Sequence, residues 1–233
     1  MPLINETELW PRTKRALAPA DSPDERTSPG RPPAGDTSPI SQGTALHDVL
    51  TARRSVRQFR KDPVVDTDLA TILSLATSTD RQMWPRGTAE TTPQAWLVSG
   101  LTGTSGVRLR QYTSKESRVG EHLVEEFTDH GDCAVLAPLA MRYVPAPVAV
   151  LICAGITDGT GANYTQALLR ASAFGYNAWL AAVAAGLGGS VHGRSSPEVT
   201  RIVRRHSGTP ARHLFTLVLG HPAEAPGRGP DRE

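Results

Sequence analysis

A chain of 233 residues is long enough for one domain of ordinary size with an additional tail. Its 39% of hydrophobic residues can bury a core, and its formal net charge of +2 favours no class of partner, so an electrostatic argument needs a local cluster. The two cysteines, Cys133 and Cys153, form no Cys-x-x-Cys pair, which argues against a disulfide framework or a zinc site. Without an apolar signal core or a bilayer-length apolar run, we expect a cytoplasmic protein with no membrane segment.

The N-terminal region differs in composition from the rest of the chain. Residues 18–43 are rich in Pro, Ser, Gly, Asp and Thr, a composition that is typical of linkers and cannot form a packed core. We therefore predict an N-terminal arm with this Pro-rich linker at residues 1–43, a body at residues 44–228 and a tail at residues 229–233. The arm could reach a second subunit or a partner protein.

Two helices are predicted at the start of the body. Thr44 or Asp48 is expected to start the first, and Asp66 or Thr67 is expected to cap the second. The second helix has apolar residues at helical spacing, namely Leu69, Ile72, Leu73 and Leu75. Residues 79–93 are polar and are predicted to form a loop.

The remaining elements are mostly strands. Residues 95–98 predict a strand, and the alternating residues 107–112 predict a half-exposed one. Continuous apolar runs at residues 147–153 and 213–219 predict buried strands. Between these runs, residues 163–185 are helical in pattern and apolar on nearly every side, so this helix should be central.

Short signals separate the last elements. The Gly-rich residues 186–189 are predicted to end the long helix, and residues 190–193 to form a short extended piece. Ser195 and Ser196 followed by Pro197 predict an N-cap with proline at the first helical position. The order of helices, strands, a long helix and a last strand predicts an α+β fold with a sheet flanked by helices.

One local cluster of charge stands out. Five cations fall within the nine residues from Arg53 to Lys61, where a predicted helix ends and the chain turns. Arginine forks and the Ser55 hydroxyl suit a phosphate dianion, because each guanidinium can bind two oxygens. A solvated basic surface is the main alternative. We expect no nucleic-acid partner, because the cluster is short and the overall charge is near neutral.

The residues around this cluster carry a family resemblance. Residues 45–50, leading into Arg53-Arg54-Ser55-Val56-Arg57-Gln58-Phe59, resemble the opening of the FMN-dependent nitroreductase superfamily, whose Arg-x-Ser-x-Arg signature grips the FMN phosphate and ribityl chain. The resemblance gives that role here to Arg53, Arg54, Ser55 and Arg57. It also implies a three-layer α+β fold with a mixed or antiparallel sheet, a long central helix and an intertwined homodimer that holds FMN at the subunit interface.

A second block of the sequence supports the same family. Asn177-Ala178-Trp179 and the following residues up to Gly188 resemble its long central helix and the Gly-Leu-Gly exit. The segment of Ser190, Val191, His192 and Gly193 matches the family strand whose backbone approaches the flavin ring, where an amide near flavin N5 stabilises the reduced form. Residues 219–222 resemble the last strand, after which a basic residue returns to the phosphate; Arg228 and Arg232 are the candidates.

Within this superfamily, the sequence resembles one branch more closely than the others. Residues 88–98 resemble a degenerate form of the Ser-Gly-Gly-Leu-Tyr-Pro-Leu-Glu stretch of SagB/ThcOx-type azoline dehydrogenases, which oxidise azolines in ribosomal peptides to azoles. This implies a tailoring dehydrogenase that passes hydride from a substrate C–H to flavin N5 and is reoxidised by oxygen. The glycines of that stretch are missing, and no lysine follows Lys115 to complete the branch's Lys-Tyr pair. Tyr164, Tyr143 and Tyr176 are therefore the acid/base candidates, and we prefer Tyr164.

Several interpretations stay open. The chain could instead be an NAD(P)H-dependent reductase of nitro compounds or quinones, a dehydrogenase of another natural product, or a degenerate partner subunit without activity. Asn177 and His192 could face the flavin or could be satisfied structural residues. His206 and His213 lack the spacing of metal ligands, so we predict no metal site.

Overall fold

A computed structural model describes residues 46–85, 91–102, 106–116, 123–139, 145–156 and 161–223, all of which belong to the unit of residues 37–233. The predicted arm and tail lie outside the described residues, as do Thr44, Tyr143, Arg228 and Arg232. In the described part of the chain, no helix combines the length and the hydropathy that are needed to cross a bilayer.

Four helices and six strands make up the described body. The helices are α1 (Leu46–Ala52), α2 (Asp66–Met83), α3 (Gly161–Ala184) and α4 (Pro197–Ser207). The strands are β1 (Gln94–Ser99), β2 (Arg108–Glu116), β3 (Leu123–Asp132), β4 (Val148–Gly155), β5 (Gly188–His192) and β6 (Ala211–Gly220). A short 3-10 turn, Ala134–Leu136, follows β3.

The strands form a single sheet in the order β3-β2-β1-β4-β6-β5, in which every described pairing is antiparallel. Strand β4 lies between β1 and β6, and all eight of its residues are buried. This confirms the buried strand that the apolar run at residues 147–153 predicts. Strand β5 lies at one edge of the sheet, so among the described residues no strand of the sheet pairs with its other side.

Helices cover both faces of the sheet. On one face, α2 and α3 pack against alternate strand residues such as Leu97, Val150 and Leu217. On the other face, α4 packs against the intervening residues, among them Trp96 and Leu151. The period-two alternation of the strands thus supplies two separate cores, and the predicted three-layer α+β fold is confirmed.

Helix α2 differs from its prediction at both ends. Its N-cap is Val65, which makes no side-chain capping bond, so the expectation that Asp66 or Thr67 caps the helix is wrong. Asp66 is the first helical residue, and its two carboxylate oxygens each accept a hydrogen bond from Nη1 of Arg110 at 2.8 Å. The helix also continues to Met83 through residues predicted as loop, because Asp80 is buried and ion-paired with a residue 90 positions away.

Strands are predicted correctly where the sequence alternates apolar and polar residues. Val107 and Leu109 are buried on one face whereas Arg108 between them is exposed, which confirms the alternation at the start of the predicted strand. Tyr112 is buried on the opposite face. Strand β3 has no prediction, since its polar residues show no apolar alternation. Its position is fixed instead by antiparallel pairing with β2.

Helix α3 matches its predicted span, and its exit confirms the glycine cap. The N–H of Leu187 donates to the carbonyl of Ala182 at 2.8 Å, and the N–H of Gly186, at φ 78°, donates to Val183 at 3.0 Å. These two bonds form a Schellman motif. The helix packs against the sheet as expected, but in this chain alone one of its faces exposes large apolar side chains: Tyr164, Leu168, Leu169 and Tyr176.

The N-terminus of α4 also confirms its prediction. Ser196 is the N-cap, its hydroxyl accepts from the N–H of Val199 at 3.4 Å, and Pro197 follows at the start of the helix. The backbone N–H of Ser196 donates to Nδ1 of the buried His213 at 2.9 Å. Nε2 of that ring therefore carries the proton and donates to the hydroxyl of Thr216 at 3.0 Å.

Candidate functional site

The basic segment after α1 lies along the edge of the sheet. The N–H of Val56 donates to the carbonyl of Gly189 at 2.9 Å, which places Ser55 beside Gly189 in a parallel bridge. Further along, the N–H of Arg60 donates to the carbonyl of His221, also at 2.9 Å. We call residues 53–60 the edge strap, because their backbone runs against β5 and the residues that follow β6.

Glycine makes this close approach feasible. A Cβ atom on Gly188 would lie 2.7 Å from Cγ2 of Val56, and one on Gly189 would lie 2.8 Å from Nε1 of Trp179. Both separations are shorter than ordinary van der Waals contact. The glycines after α3 therefore do more than end the helix, since they let the edge strap and Trp179 pack directly on β5.

The arginines of the edge strap face outward or lie on aromatic rings. The guanidinium of Arg53 lies 4.8 Å from the ring centre of Trp179 and 6.0 Å from that of Tyr176. Arg54 and Arg57 are exposed. Within the described residues, none of these three guanidinium groups forms an ion pair with a carboxylate. They are consequently available to an external anion.

Next to the edge strap, a cavity of about 410 Å³ opens between α3, β5 and β6. Its lining is largely apolar and includes Leu168, Tyr176, Trp179, Val191, Gly193 and Phe215. None of the described residues that line it carries a charge. A volume of this size is within the usual range of small-molecule sites, and its aromatic walls suit a flat, uncharged ring system.

The open edge of β5 presents backbone groups beside this cavity. Because Gly189 directs its carbonyl to the edge strap, Val191, two residues later in the strand, directs its N–H and C=O to the same side, away from β6. Val191 is 40% exposed, and a Cβ on Gly193 would meet nothing within 4 Å. This part of the strand is thus open to a ligand.

Comparison with known proteins now decides the family. A family model described as the nitroreductase family matches residues 50–221, which is most of the chain. The chain belongs to the nitroreductase family. Members of this family are generally flavin oxidoreductases and typically bind FMN. No curated protein sequence matches the chain significantly.

Solved structures agree on the nitroreductase fold. A nitroreductase described as putative from Ralstonia eutropha is 20% identical and superposes with a TM-score of 0.55, covering 83% of this chain and 89% of that one. Nitroreductase A from Vibrio parahaemolyticus is 18% identical with a TM-score of 0.50, covering 79% and 71%. The hypothetical oxidoreductase YcnD from Bacillus subtilis is 17% identical with a TM-score of 0.51, covering 79% and 69%. At such identities the likeness shows the fold alone.

The predicted site residues of this nitroreductase-family chain fall into two groups. Arg53, Arg54, Ser55 and Arg57 are brought to the edge of β5, and Val191 and Gly193 line the cavity. The other predicted residues of the described part, Ser190, Asn177 and Tyr164, do not line it. Ser190 is buried, with its side chain on the opposite face of β5 from Val191.

His192 does not line the cavity either. It is half-buried, and its pKa is lowered from the ordinary value, first by burial and then by the positive charge of Arg57. The imidazole is therefore neutral at neutral pH. In that state one ring nitrogen can donate a hydrogen bond and the other can accept one, and the ring adds no charge beside the cavity.

Three tyrosines were candidates for acid/base chemistry. Tyr176 lines the cavity, whereas Tyr164 is exposed on the same helix, about three turns nearer its N-terminus. Tyr143 lies outside the described residues. Within the single chain, Tyr176 is therefore the tyrosine that the fold brings to the cavity.

Sequence reasoning missed several cavity residues. Leu168, Gly175 and Trp179 repeat at the spacing of one helix face, a signal that the sequence contains but that also fits a core stripe. Phe215 had no such signal, because its place depends on the pairing of β6 with β5 and β4. Among the described residues, no three His, Cys, Asp or Glu side chains are grouped closely enough to hold a metal ion.

Proposed function

We propose that this chain binds FMN between α3, β5 and the edge strap and acts as an FMN-dependent oxidoreductase. The observation that carries the proposal is the pairing of two features at one place. Arg53, Arg54 and Arg57 have no carboxylate partner among the described residues, and they adjoin an uncharged, aromatic-walled cavity. A molecule with a phosphate at one end and a flat apolar ring at the other matches both features.

The residues present fit that cofactor. Arg53, Arg54, Ser55 and Arg57 would bind the phosphate, and Trp179 and Tyr176 would contact the ring system. Arg228, which is outside the described residues, is a further phosphate candidate. The backbone of Val191 and Gly193 at the open edge would hydrogen-bond to the ring, with the neutral His192 beside them. When bound, FMN supplies the two-electron hydride chemistry that amino-acid side chains lack. Ser190 of β5 and Asn177 of α3 would stabilise these two elements without contacting FMN.

The exposed apolar face of α3 supports a homodimer. The side chains of Tyr164, Leu168, Leu169 and Tyr176 are between 39% and 57% exposed. Contiguous exposed apolar residues are typical of interaction sites. A second copy seated here would bury them at the mouth of the cavity, so that both chains would line each FMN site. In such a dimer Tyr164 would be a candidate catalytic group from the opposite chain, and Tyr176 from its own.

The proposed reaction is the dehydrogenation of a peptide-derived heterocycle, such as azoline to azole, or of a related natural product in the cytoplasm. The resemblance of residues 88–98 to azoline dehydrogenases and the uncharged cavity, which suits a neutral ring, support it. The second candidate is NAD(P)H-dependent reduction of nitro compounds or quinones, which the family match favours. A degenerate partner subunit would retain the fold without turnover.

Titration with FMN tests the cofactor site. Arg53→Gln and Arg57→Gln should each weaken FMN binding by about tenfold or more, because each removes charge-assisted hydrogen bonds to phosphate. Arg60→Gln is the matched control, since Arg60 is in the same cluster but pairs with Asp62 at 3.2 Å. Equal FMN affinity in all three variants would refute the assignment of the phosphate site.

Turnover separates the two candidate reactions. The FMN-loaded protein is given an azoline-containing peptide under oxygen in one assay, and NADH or NADPH with a nitroaromatic compound in another. Azole formation supports the dehydrogenase, and nitro reduction supports the second candidate. Loss of the favoured activity in Tyr176→Phe but not in Tyr164→Phe, at unchanged FMN content, would assign the acid/base group within the chain.

A further inference from the structure

One arginine of the edge strap differs from the others in its surroundings. Arg54 and Arg57 are exposed, whereas Arg53 is half-buried. Its guanidinium lies over the rings of Trp179 and Tyr176, and among the described residues no carboxylate pairs with it. Because partial burial removes some of the water around this cation, the faces of the two rings replace part of the lost solvation.

Helix α3 brings the two rings together. Tyr176 and Trp179 are three residues apart, so both side chains lie on one face of the helix. Their ring centres are 6.5 Å apart and their planes are 86° apart, which is an edge-to-face contact. Trp179 is 7% exposed whereas Tyr176 is 42% exposed. Trp179 is therefore the more firmly packed of the two rings, and it is also the closer one to Arg53.

Strand β5 fixes the orientation of the indole. A Cβ atom on Gly189 would lie 2.8 Å from Nε1 of Trp179 and 2.9 Å from its Cδ1, so this edge of the ring packs directly on the backbone of the strand. Nε1 is buried without a hydrogen-bond partner. Since an unpaired buried N–H is unfavourable, what the indole contributes here is its large π face, which binds cations better than other aromatic side chains do.

The backbone of the edge strap is attached to the same point of β5. The N–H of Val56 donates to the carbonyl of Gly189 at 2.9 Å. Gly189 therefore fixes both the chain that carries Arg53 and the ring on which its guanidinium lies. A long side chain loses rotamer freedom when it binds a ligand, and a side chain that is already restricted loses less.

We propose that Trp179 is a positioning residue of the phosphate site, because its ring holds the guanidinium of Arg53 in place for the phosphate of FMN. The contact between ring and guanidinium uses no hydrogen bond, so the N–H donors of Arg53 stay free for phosphate oxygens. Trp179 acts through Arg53 and not by touching the phosphate. This inference rests on the proposed FMN site and adds a residue that determines the preference for a phosphorylated flavin.

Titrations of the full-length protein with FMN and with riboflavin test this role. Riboflavin has the ring system and ribityl chain of FMN but lacks the phosphate, so the ratio of the riboflavin Kd to the FMN Kd isolates phosphate binding. Trp179→Leu should lower this ratio by about threefold to tenfold, and Trp179→Phe, which keeps a weaker aromatic face, by about twofold to threefold. A tryptophan that served only as a wall for the flavin ring would weaken both flavins equally and leave the ratio unchanged.

Two matched variants sharpen the test. Phe215→Leu changes another aromatic residue of the same cavity, and among the described residues no arginine lies over its ring, so the ratio should stay as in the wild type even where both affinities fall. In a protein that already carries Arg53→Gln, Trp179→Leu should lower the ratio no further, because the two residues act as a unit.

An unchanged ratio in Trp179→Leu, or an equal further fall in the Arg53→Gln background, would overturn the inference while FMN binding stands. Should Trp179→Leu fail to fold, an unchanged ratio in Trp179→Phe overturns it instead. A wild type that binds both flavins equally would refute the positioning role and the phosphate site but not the flavin cavity. A wild type that binds neither flavin would refute the proposed function, and this inference with it.

Discussion

Arginines serve opposite purposes in two regions of this molecule. On the edge strap, Arg54 and Arg57 are exposed and have no carboxylate partner among the described residues. Between α2 and α3, Arg170 is 4% exposed and fully engaged by Asp80. The difference teaches that a guanidinium group is available to a ligand only where the fold leaves it without a partner of its own.

The two regions also differ in how they are encoded. The edge strap lies within the cluster of nine consecutive residues from Arg53 to Lys61, so its chemistry can be inferred from a local stretch of sequence. The Asp80–Arg170 pair joins residues 90 positions apart, and neither has a motif around it. Asp80 in fact falls in a polar stretch that predicts a loop.

The largest effect is expected from breaking the buried pair. Arg170→Leu leaves the carboxylate of Asp80 buried without a partner, so the free energy of unfolding should fall by about 3–5 kcal/mol. Urea denaturation of the variant and the wild type measures this difference in the free energy of unfolding. Arg110→Leu breaks the partly exposed pair with Asp66 and is the control, with an expected loss of about 1 kcal/mol or less. Equal losses in the two variants would show that burial does not distinguish these arginines.

A second buried polar group, the imidazole of His213, makes the free energy of unfolding depend on pH. Burial lowers the pKa of His213 to about 4, whereas the unfolded chain protonates near the ordinary value of about 6.5. The unfolded state therefore binds more protons, and stability should fall as pH drops from about 6.5 to about 4, by at most about 3 kcal/mol. His213→Gln should flatten this part of the stability curve. An unchanged slope in the variant would contradict the assignment to His213.

A third variant tests the docking of the edge strap. Gly188→Ala places a Cβ 2.7 Å from Val56, so it should destabilise the protein by about 1–3 kcal/mol and weaken FMN binding by displacing the strap. Gly193→Ala is the steric control for stability alone, since its Cβ would meet nothing within 4 Å in the protein. Thermal denaturation and FMN titration measure both effects. Unchanged stability in Gly188→Ala would mean that the strap is free to move off β5.

The smallest effect concerns the helix cap beside His213. Ser196→Ala removes the hydroxyl that accepts from Val199, so α4 and the protein should lose about 1 kcal/mol. Ser195→Ala, at the exposed neighbour, should stay within about 0.5 kcal/mol of the wild type. If the two variants were equally stable, the cap would contribute nothing at this helix.

Much of the fold follows from local patterns. The apolar runs predict β4 and β6, the glycines predict the end of α3, and Ser196-Pro197 predicts the start of α4, since each signal acts within a few residues. The length of α2 and the presence of β3 could not be predicted, because one depends on Arg170 and the other on pairing with β2. In the candidate site, the clustered arginines of the edge strap can be predicted from the sequence. The residues of α3 and β6 that line the cavity cannot, because only the tertiary fold brings them together.

The central claim is that the open arginines and the adjoining cavity hold FMN. The most direct test is the visible absorbance spectrum of the purified protein, followed by identification and quantification of the cofactor released on denaturation. The account predicts the bands of oxidised flavin and FMN at about one molecule per chain. A colourless protein that also fails to take up added FMN would contradict it and would favour the partner subunit without activity.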